Sequence, residues 1–359
     1  DVSKVTVNVT LPGGAFGRKS KPDFVIEAAL ISKEMNTPVK ILWTREDDIQ
    51  HGFYHFPSAQ YLKVGIDENN KVIGWLHRSV FPSIGGTANP ASVEPSGDEL
   101  SLGMIDLPYA IDNISCETQE AKTKIRIGWL RSVSNIHHAF AVGSIIDEVA
   151  HARGVDPVQN ILDMLGEDRK IDPKVLGPEF QNYGEKLEDF PWNTARLRKV
   201  VETAKEKSNW GKSLPKGRGQ GIAVHRSFLT YVACVVEVTV DDSNKIKITK
   251  VDYAVDCGIP VNPERIKSQF EGGAAFAASL ALKSEITVLK SAVQQSNFHN
   301  YQVARMTDAP YETAVHIIES SEKPTGVGEP PVPPFIPALC NAIFAATGKR
   351  IRKLPITLS

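Results

Sequence analysis

Apolar and polar positions alternate in the first part of the chain. The alternation over residues 5–11 predicts a half-buried strand that leads into a glycine turn. Residues 39–44 predict a second strand, and two more strand-like runs flank the polar turn at residues 67–71. Residues 82–108 are rich in Pro, Gly and Ser, which predicts a long loop of the kind that often carries function.

Helical periodicity and further strand patterns fill the rest of the sequence. Helices are predicted at 22–35, at 135–153, after a cap at Asp156, at 194–208, at 263–282 and at 335–347. Strands are predicted at 219–225, 231–240, 245–256 and 313–319. Strands and helices intermix without the regular alternation of a doubly wound sheet, so the pattern predicts an α+β fold of two lobes with mixed sheets and packed helices. The segment 209–217 predicts the boundary between a first lobe, 1–208, and a second lobe, 209–359.

Composition removes several classes of function. The 41 basic and 42 acidic residues nearly balance, which argues against nucleic acid or an anionic membrane surface as a partner. No apolar run reaches transmembrane length, and the pattern leads us to expect neither a membrane span nor a signal peptide in this segment. The chain opens without Met and already in a strand pattern, so we expect a fragment of a longer product; the compartment is not indicated. The four cysteines lie far apart without a CxxC pair, which predicts free thiols rather than an iron-sulfur cluster or zinc site.

The segment "GGAFGRKS" at residues 13–20 looks like a phosphate-binding loop. Arg18 stands between Gly17 and Lys19, so the spacing of a P-loop fails, and the GxGxxG spacing fails as well. Two interpretations remain open. The glycines allow backbone amides and a helix N-terminus to approach an anion, or the segment is a tight turn between strand and helix without a ligand.

One carboxylate stands in an unusual segment of glycines and prolines. In "GVGEPPVPPFIPALCNAIFAA" the stiff backbone around Glu329 leads into an apolar helix. A carboxylate held beside a core helix is desolvated, which raises its pKa and makes it a candidate general base. Alternatively, Glu329 caps the helix or pairs with Arg350 or Arg352.

The segment just before the helix predicted at 135–153 offers several polar groups. Trp129, Arg131 and Ser132 precede a helix, and an Arg beside hydroxyl and amide donors suits a phosphate or the polar edge of a cofactor. His137 and His138 follow on that helix, where adjacent side chains point in different directions, so we expect one exposed and one packed His rather than a metal site.

A glycine pair interrupts the helix predicted at 263–282. Gln269 precedes Gly272 and Gly273, and glycines inside a helix each cost about 1 kcal/mol relative to Ala. Close approach of a ligand, with Gln269 as both donor and acceptor, and close packing of another helix explain the pair equally well.

Taken in order, these segments resemble the molybdenum-binding subunit of the xanthine oxidase and aldehyde oxidoreductase family. The likeness is strongest to the C-terminal half of the subunits in the branch that includes the isoquinoline 1-oxidoreductase beta subunit. It runs along nearly the whole chain. The segments that carry it are "GGAFGRKSKPDFVIEAALIS", "PVKILWTREDDIQHGFYHFPSAQYLKVGID", "WLRSVSNIHHAFAV", "VDCGIPVNPERIKSQFEGG", "QQSNFHNY" and "GVGEPPVPPFIPALCNAIFAATGKRIRKLPI".

The resemblance implies a molybdopterin cofactor, in its cytosine dinucleotide form, bound between the two lobes. It implies that Glu329 is the catalytic base and that no protein side chain ligates the molybdenum directly. It also implies a set of residues next to the cofactor: Gly14, Ala15, Phe16, Gly17, Arg18, Trp129, Arg131, Ser132, Gln269, Gly272, Gly273 and Gly328.

The implied activity is hydroxylation of a carbon in an N-heterocycle or aldehyde with oxygen derived from water. Electrons then pass to iron-sulfur clusters on a [2Fe-2S] partner subunit, and a further partner chain carries the first half of the molybdenum subunit. Two positions depart from the family pattern: Ala15 replaces the middle glycine of GGGFG, and Gly143 stands where an acidic residue is frequent. Two alternatives are a non-catalytic assembly subunit or chaperone partner with the same fold and no cofactor, and an unrelated nucleotide-binding domain.

Overall fold

The computed structural model describes residues 1–172, 175–177 and 179–358. The α-helices are α1 (Asp23–Met35), α2 (Arg45–His51), α3 (Gly97–Leu100), α4 (Asn135–Arg153), α5 (Pro157–Leu165), α6 (Thr194–Lys207), α7 (Pro263–Leu282) and α8 (Val332–Thr347). The strands are β1 (Ala59–Ile66), β2 (Val72–Val80), β3 (Asn113–Thr118), β4 (Arg218–Ser227), β5 (Thr230–Val240), β6 (Ile246–Asp256), β7 (Val288–Leu289), β8 (Ala292–Val293) and β9 (Thr313–Ile317).

A small mixed sheet occupies the first part of the fold. β1 and β2 pair antiparallel, and β3 joins β2 in parallel. The hairpin turn is held by Asp67, whose carboxylate accepts hydrogen bonds from the backbone N–H groups of Asn69 and Lys71. Val72 and Trp75 of β2 belong to the same apolar core as Ile146 of α4, so the sheet is fixed against that helix.

A larger mixed sheet forms the centre of the molecule. β4, β5 and β6 are antiparallel neighbours, and β9 adds in parallel at the edge of β6. α8 packs against β4 and β5. It approaches closely because Gly219 and Gly221 lack side chains: a Cβ at these positions would lie 2.3 and 2.2 Å from backbone atoms of Ala342.

Gly143 is explained by packing between two helices. A Cβ at Gly143 of α4 would lie 2.7 Å from the Cβ of Pro337 in α8 and 3.3 Å from the Cβ of Ala223. Asn341 of α8 donates a hydrogen bond to the Gly143 carbonyl at 3.2 Å. An acidic side chain would not fit here, so the departure from the family pattern accompanies a close contact of α4 with α8.

Most predicted elements are confirmed within two or three residues, and the fold is α+β with mixed sheets as predicted. The helix at 135–153 has the predicted bounds, and Gly154 ends it with a φ of 68°. Asp156 caps α5 through the N–H groups of Val158 and Gln159. The long loop at 82–108 contains α3 and a short 3-10 turn, Ile84–Thr87, which the sequence pattern did not indicate.

The predicted strands at 5–11 and 39–44 are wrong for this chain. Both segments lie outside the strands, and a 3-10 turn, Val2–Lys4, precedes the first. A strand requires a neighbour to satisfy its backbone groups, and among the described residues neither segment has one. Conversely, β3, β7 and β8 were not predicted; β7 and β8 have only two residues each. Among the described residues, no helix is long and apolar enough to cross a membrane.

Candidate active site

The loop that carries Glu329 is anchored on a neighbouring hairpin. The backbone N–H of Gly326 donates to the Phe228 carbonyl at 3.2 Å, and the Thr230 hydroxyl donates to the Gly326 carbonyl at 2.6 Å. Phe228 and Leu229, the two residues between β4 and β5, have φ angles of 49° and 67°. Sequence reasoning missed this anchor; the available signal was the short gap, residues 226–230, between two predicted strands.

Ser132 contacts Glu329 through both its backbone and its side chain. The Ser132 N–H donates to Oε2 of Glu329 at 2.6 Å, and the Ser132 hydroxyl donates to the Glu329 carbonyl at 2.8 Å. Ser132 and Val133 have φ angles of 87° and 51°, a region that is unfavourable for a β-branched residue such as Val. Strain of this kind persists where surrounding contacts hold it, and here it directs a backbone N–H at a carboxylate.

Three influences act on the Glu329 carboxyl group. Burial raises its pKa above the usual value of a glutamate, while the Ser132 N–H and the nearby Arg131 guanidinium oppose that rise. The group is half-buried, so a ligand can reach it. A carboxylate with a raised pKa in a fixed position is suited to accept a proton.

The two structural alternatives for Glu329 are wrong. Arg350 pairs with Asp147 and Arg352 pairs with Glu148, each at 2.5 Å. α8 begins after Pro331, and no side chain caps it. The carboxylate therefore serves neither as a helix cap nor as a partner of either arginine.

Arg131 joins the Glu329 loop to α7. Its Nε and Nη2 atoms donate to the Gly328 carbonyl at 2.8 and 2.5 Å. Nη2 also donates to the backbone carbonyl of Gln269 at 3.0 Å and to its side-chain Oε1 at 3.2 Å. The guanidinium group thus fixes the distance between the carboxylate loop and Gln269.

The glycine pair in α7 has two different environments. A Cβ at Gly273 would lie 2.3 Å from Cγ of Pro331, so this glycine permits close packing of α7 on the Glu329 loop. A Cβ at Gly272 would meet no atom within 4 Å. Helix packing therefore accounts for Gly273, whereas nothing in the described chain occupies the space beside Gly272.

The glycine turn contacts the candidate site at Gly17. Gly14, Phe16 and Gly17 take positive φ angles of 125°, 55° and 71°, whereas Ala15 does not. A Cβ at Gly17 would lie 2.4 Å from Cβ of Trp129, so the end of the turn lies against the segment that carries Arg131 and Ser132. Gly14 is partly buried, whereas Ala15 and Phe16 lie towards solvent, and the Phe16 side chain is 81% exposed.

Arg18 is engaged within the chain. Its two terminal nitrogens donate to both carboxylate oxygens of Asp23 at 2.7 and 2.8 Å. Asp23 is the first residue of α1, so this N-terminus already carries a negative charge. That arrangement favours a structural turn over an anion site at the helix terminus.

His137 and His138 are both buried, contrary to the expectation that one is exposed. Their rings lie 4.2 Å apart, and His137 also lies 6.0 Å from the ring of His55. Burial lowers the pKa of His137 and His138 and lowers that of His55 and His77 to about 4, so the cluster is neutral near pH 7. Among the described residues, no group of three or more His, Cys, Asp or Glu side chains is placed to hold a metal ion. The four cysteines are free thiols.

Several polar groups at the Glu329 face have no partner in the described chain. The hydrogen bonds of Glu329 use Oε2, and those of Arg131 use Nε and Nη2, which leaves Glu329 Oε1 and Arg131 Nη1 without one. The Gln269 amide group is exposed, and its Nε2 makes no hydrogen bond to a described residue. With the open space beside Gly272, this donor and acceptor set fits a polar heterocyclic group. Contacts of the predicted residues with such a group stay a prediction.

Two family models for a molybdopterin cofactor-binding domain match this chain. One matches residues 1–161 and the other matches residues 179–310. Together they span most of the chain, including the glycine turn, Arg131, Ser132 and the α7 glycine pair. Glu329 lies beyond the second match.

The chain is similar to large oxidoreductase subunits. It is 32% identical over 99% of its length to a membrane-bound aldehyde dehydrogenase [pyrroloquinoline-quinone] of Gluconacetobacter polyoxogenes. It is 28% identical over 98% of its length to the isoquinoline 1-oxidoreductase subunit beta of Brevundimonas diminuta. These matches cover 46% and 43% of the two relatives, so the chain spans less than half of their length.

Solved structures share the fold at lower identity. Quinoline 2-oxidoreductase from Pseudomonas putida 86 matches 96% of this chain and 66% of its own, with a TM-score of 0.74 and 13% identity. Aldehyde oxidoreductase from Desulfovibrio gigas matches 96% of this chain and 53% of its own, with a TM-score of 0.74 and 15% identity.

Proposed function

The chain belongs to the molybdopterin-binding subunits of the xanthine oxidase and aldehyde oxidoreductase family, and from this we propose that it forms the catalytic part of a molybdenum hydroxylase. Such an enzyme oxidises a carbon of an N-heterocycle or an aldehyde and introduces oxygen from water. The observation that carries this proposal is the half-buried Glu329 carboxylate, held by Ser132 beside an unfilled polar surface.

The chain's own residues would perform binding and proton transfer. Gln269 and Arg131 would present donors towards a pterin-type group, and the open space at Gly272 would let its edge approach the backbone. When bound, the molybdenum cofactor supplies the two-electron redox chemistry. Glu329 in its ionised form accepts a proton at a carboxylate oxygen, and the Ser132 N–H keeps that carboxylate in place.

The finer features of the complex follow from this assignment. We propose the cytosine dinucleotide form of the cofactor, a [2Fe-2S] partner subunit as electron acceptor, and a further chain or segment that supplies the first half of the molybdenum subunit. The glycine turn would contribute Gly14–Gly17 and Arg18 on one side of the cofactor, next to Trp129. Residues 1–208 and 209–359 would form the two lobes that hold it.

The reaction type can be tested with labelled water. The assembled complex is supplied with benzaldehyde or isoquinoline in H₂¹⁸O, with an artificial electron acceptor, and its metal content is measured. We expect about one molybdenum per copy and, from isoquinoline, whose reacting carbon carries no oxygen beforehand, product that contains ¹⁸O from water. Unlabelled product from isoquinoline, or turnover in a complex that contains pyrroloquinoline quinone and no molybdenum, would overturn the proposal. The quinone control matters because the name of one relative specifies that cofactor.

A non-catalytic role remains the second candidate. It is favoured by the chain's match to less than half of its relatives, since a partial subunit can serve assembly. Assembled complex that contains no cofactor and is inactive on both substrates would support this candidate.

A further inference from the structure

Residues 1–44 carry an apolar surface that the rest of the described chain leaves uncovered. No residue before Ile49 is buried, and α1 has no buried residue over its 13 positions. More than half of the large apolar side chains that are exposed among the described residues lie within residues 2–42. Single exposed apolar side chains are ordinary, but a concentration of them in one segment marks an interaction surface.

Two extended segments of this region have unsatisfied backbones. Among the described residues, neither 6–12 nor 38–43 makes a backbone–backbone hydrogen bond. The first has the alternating pattern of a strand, with Val7 76% and Val9 88% exposed, and the second is a short apolar run. A free row of N–H and C=O groups beside alternating apolar side chains is the template to which another strand adds.

α1 lies between these two segments and is weakly supported. Arg18 holds its first turn through Asp23, and the Trp43 indole donates to Glu27 at 3.0 Å. A helix of this length is marginally stable alone in water, and amphipathic helices gain stability when the apolar face packs. Phe24, Ile26 and Leu30 are 46%, 52% and 61% exposed, so that packing is missing here.

We propose that residues 1–44, the docking segment, form the surface on which the remaining part of the molybdenum subunit binds. That part adds strands beside residues 5–11 and 39–44 and covers α1 with an apolar face. The assignment rests on the function proposed above. The length of the relatives identifies the occupant, because 99% of this chain matches only 46% of one relative and 98% matches only 43% of another.

Docking would also fix one side of the candidate site. The glycine turn at 13–17 connects the first extended segment to α1, and Gly17 lies against Trp129. Trp129 is two residues from Arg131, which holds the Gly328 carbonyl. A partner that orders the docking segment therefore orders the turn beside the Glu329 loop.

The test uses this chain together with the polypeptide that carries the first half of the molybdenum subunit. The surface variant combines Val7→Lys with Leu30→Lys, and the control combines Val261→Lys with Met306→Lys, whose apolar side chains are exposed outside the docking segment. Affinity is measured by titration calorimetry, and thermal melts of each variant alone check its fold. We expect the surface variant to bind at least tenfold more weakly, while the control binds like the unaltered chain.

Amide hydrogen exchange of the unaltered protein provides a second readout. We expect exchange at residues 5–11 and 39–44 to slow by at least tenfold in the complex. Three results would overturn the docking surface. They are unchanged exchange at these residues, an equal loss of binding in the control variant, and a dimer of this chain alone that the surface variant dissociates. An active complex in which exchange at residues 5–11 and 39–44 does not slow would refute the docking surface but not the proposed function. An inactive, cofactor-free complex in which that exchange slows would refute the proposed function but not the docking surface.

Discussion

The Ser132 N–H lies 2.6 Å from the Glu329 carboxylate, although the two residues are 197 positions apart in the chain. The carboxylate is consequently positioned by a backbone donor, which no side-chain substitution removes directly. The adjacent Arg131 contributes a positive charge and holds the loop through the Gly328 carbonyl. A substitution of Arg131 therefore changes the charge beside Glu329 and one anchor of its loop, whereas the Ser132 N–H stays in place.

Substitution Arg131→Gln should raise the pKa of Glu329, because the guanidinium opposes the effect of burial. The base acts in its ionised form, so the acid limb of kcat/KM should move to higher pH in the assembled enzyme. Arg131→Lys keeps the charge but not the paired hydrogen bonds, and should leave the limb near its original position. A limb that moves to lower pH in Arg131→Gln would contradict the assigned role.

Alanine substitutions at the two glycines of α7 provide a test and its matched control. Gly273→Ala places a Cβ against Pro331 and should lower the free energy of unfolding by about 1–3 kcal/mol. Gly272→Ala projects into open space and should leave stability unchanged or raise it by up to about 1 kcal/mol. Denaturant titration of the chain measures both. If Gly272→Ala also lowers the molybdenum content of the complex, the cofactor occupies the open space beside Gly272. Equal stability of the two variants would refute the explanation that Gly273 is required for packing against Pro331.

Gly143→Ala should destabilise the chain by about 1–3 kcal/mol, because the added Cβ meets Pro337. Pro337→Gly removes both atoms that the added Cβ would meet, Cβ at 2.7 Å and Cγ at 2.8 Å, so the double variant should lose less stability than the sum of the two single variants. The coupling in this double-mutant cycle should be at least about 0.5 kcal/mol. Strict additivity would show that the α4–α8 contact does not set the requirement for glycine.

The buried histidines should make the fold labile in acid. Both ring nitrogens of His55 are buried without a hydrogen-bond partner among the described residues, and its folded-state pKa is about 4. The unfolded chain takes up the proton near pH 6.5, so stability is lost as the pH falls from 6.5 towards 4, by up to about 1.4 kcal/mol per pH unit for this group. His55→Phe should reduce the fall in unfolding free energy between pH 7 and 5. His299→Phe, at an exposed position, should not; parallel behaviour of the two variants would refute the prediction.

Local pattern predicted those elements whose stability is determined within the chain. The helix at 135–153 was found because its periodicity ends at a glycine, and the strand at 231–240 because its apolar residues form a nearly continuous run. Residues 5–11 and 39–44 also carry a strand signal, but a strand forms only when another backbone pairs with it. Sequence gives the preference of a segment and not the presence of its neighbour.

In the candidate site, too, local pattern indicated single residues but not the contacts between distant ones. The stiff glycine and proline segment marked Glu329, and the glycine pair marked α7. The contacts of Ser132 and Arg131 with residues 138 to 197 positions away could not be deduced from local spacing. Nor could spacing reveal that Gly273 packs on Pro331 whereas Gly272 faces open space, since this depends on how α7 and the Glu329 loop meet.

The most direct test of the account is the turnover of Glu329→Gln in the assembled, molybdenum-loaded complex. Gln keeps the size of the side chain but cannot accept the proton, so kcat should fall about 10²–10⁴-fold while the molybdenum content stays the same. Glu319→Gln, at an exposed position outside the site, serves as the control and should retain full turnover. Normal turnover of a fully loaded Glu329→Gln complex would contradict the assignment of Glu329 as the base.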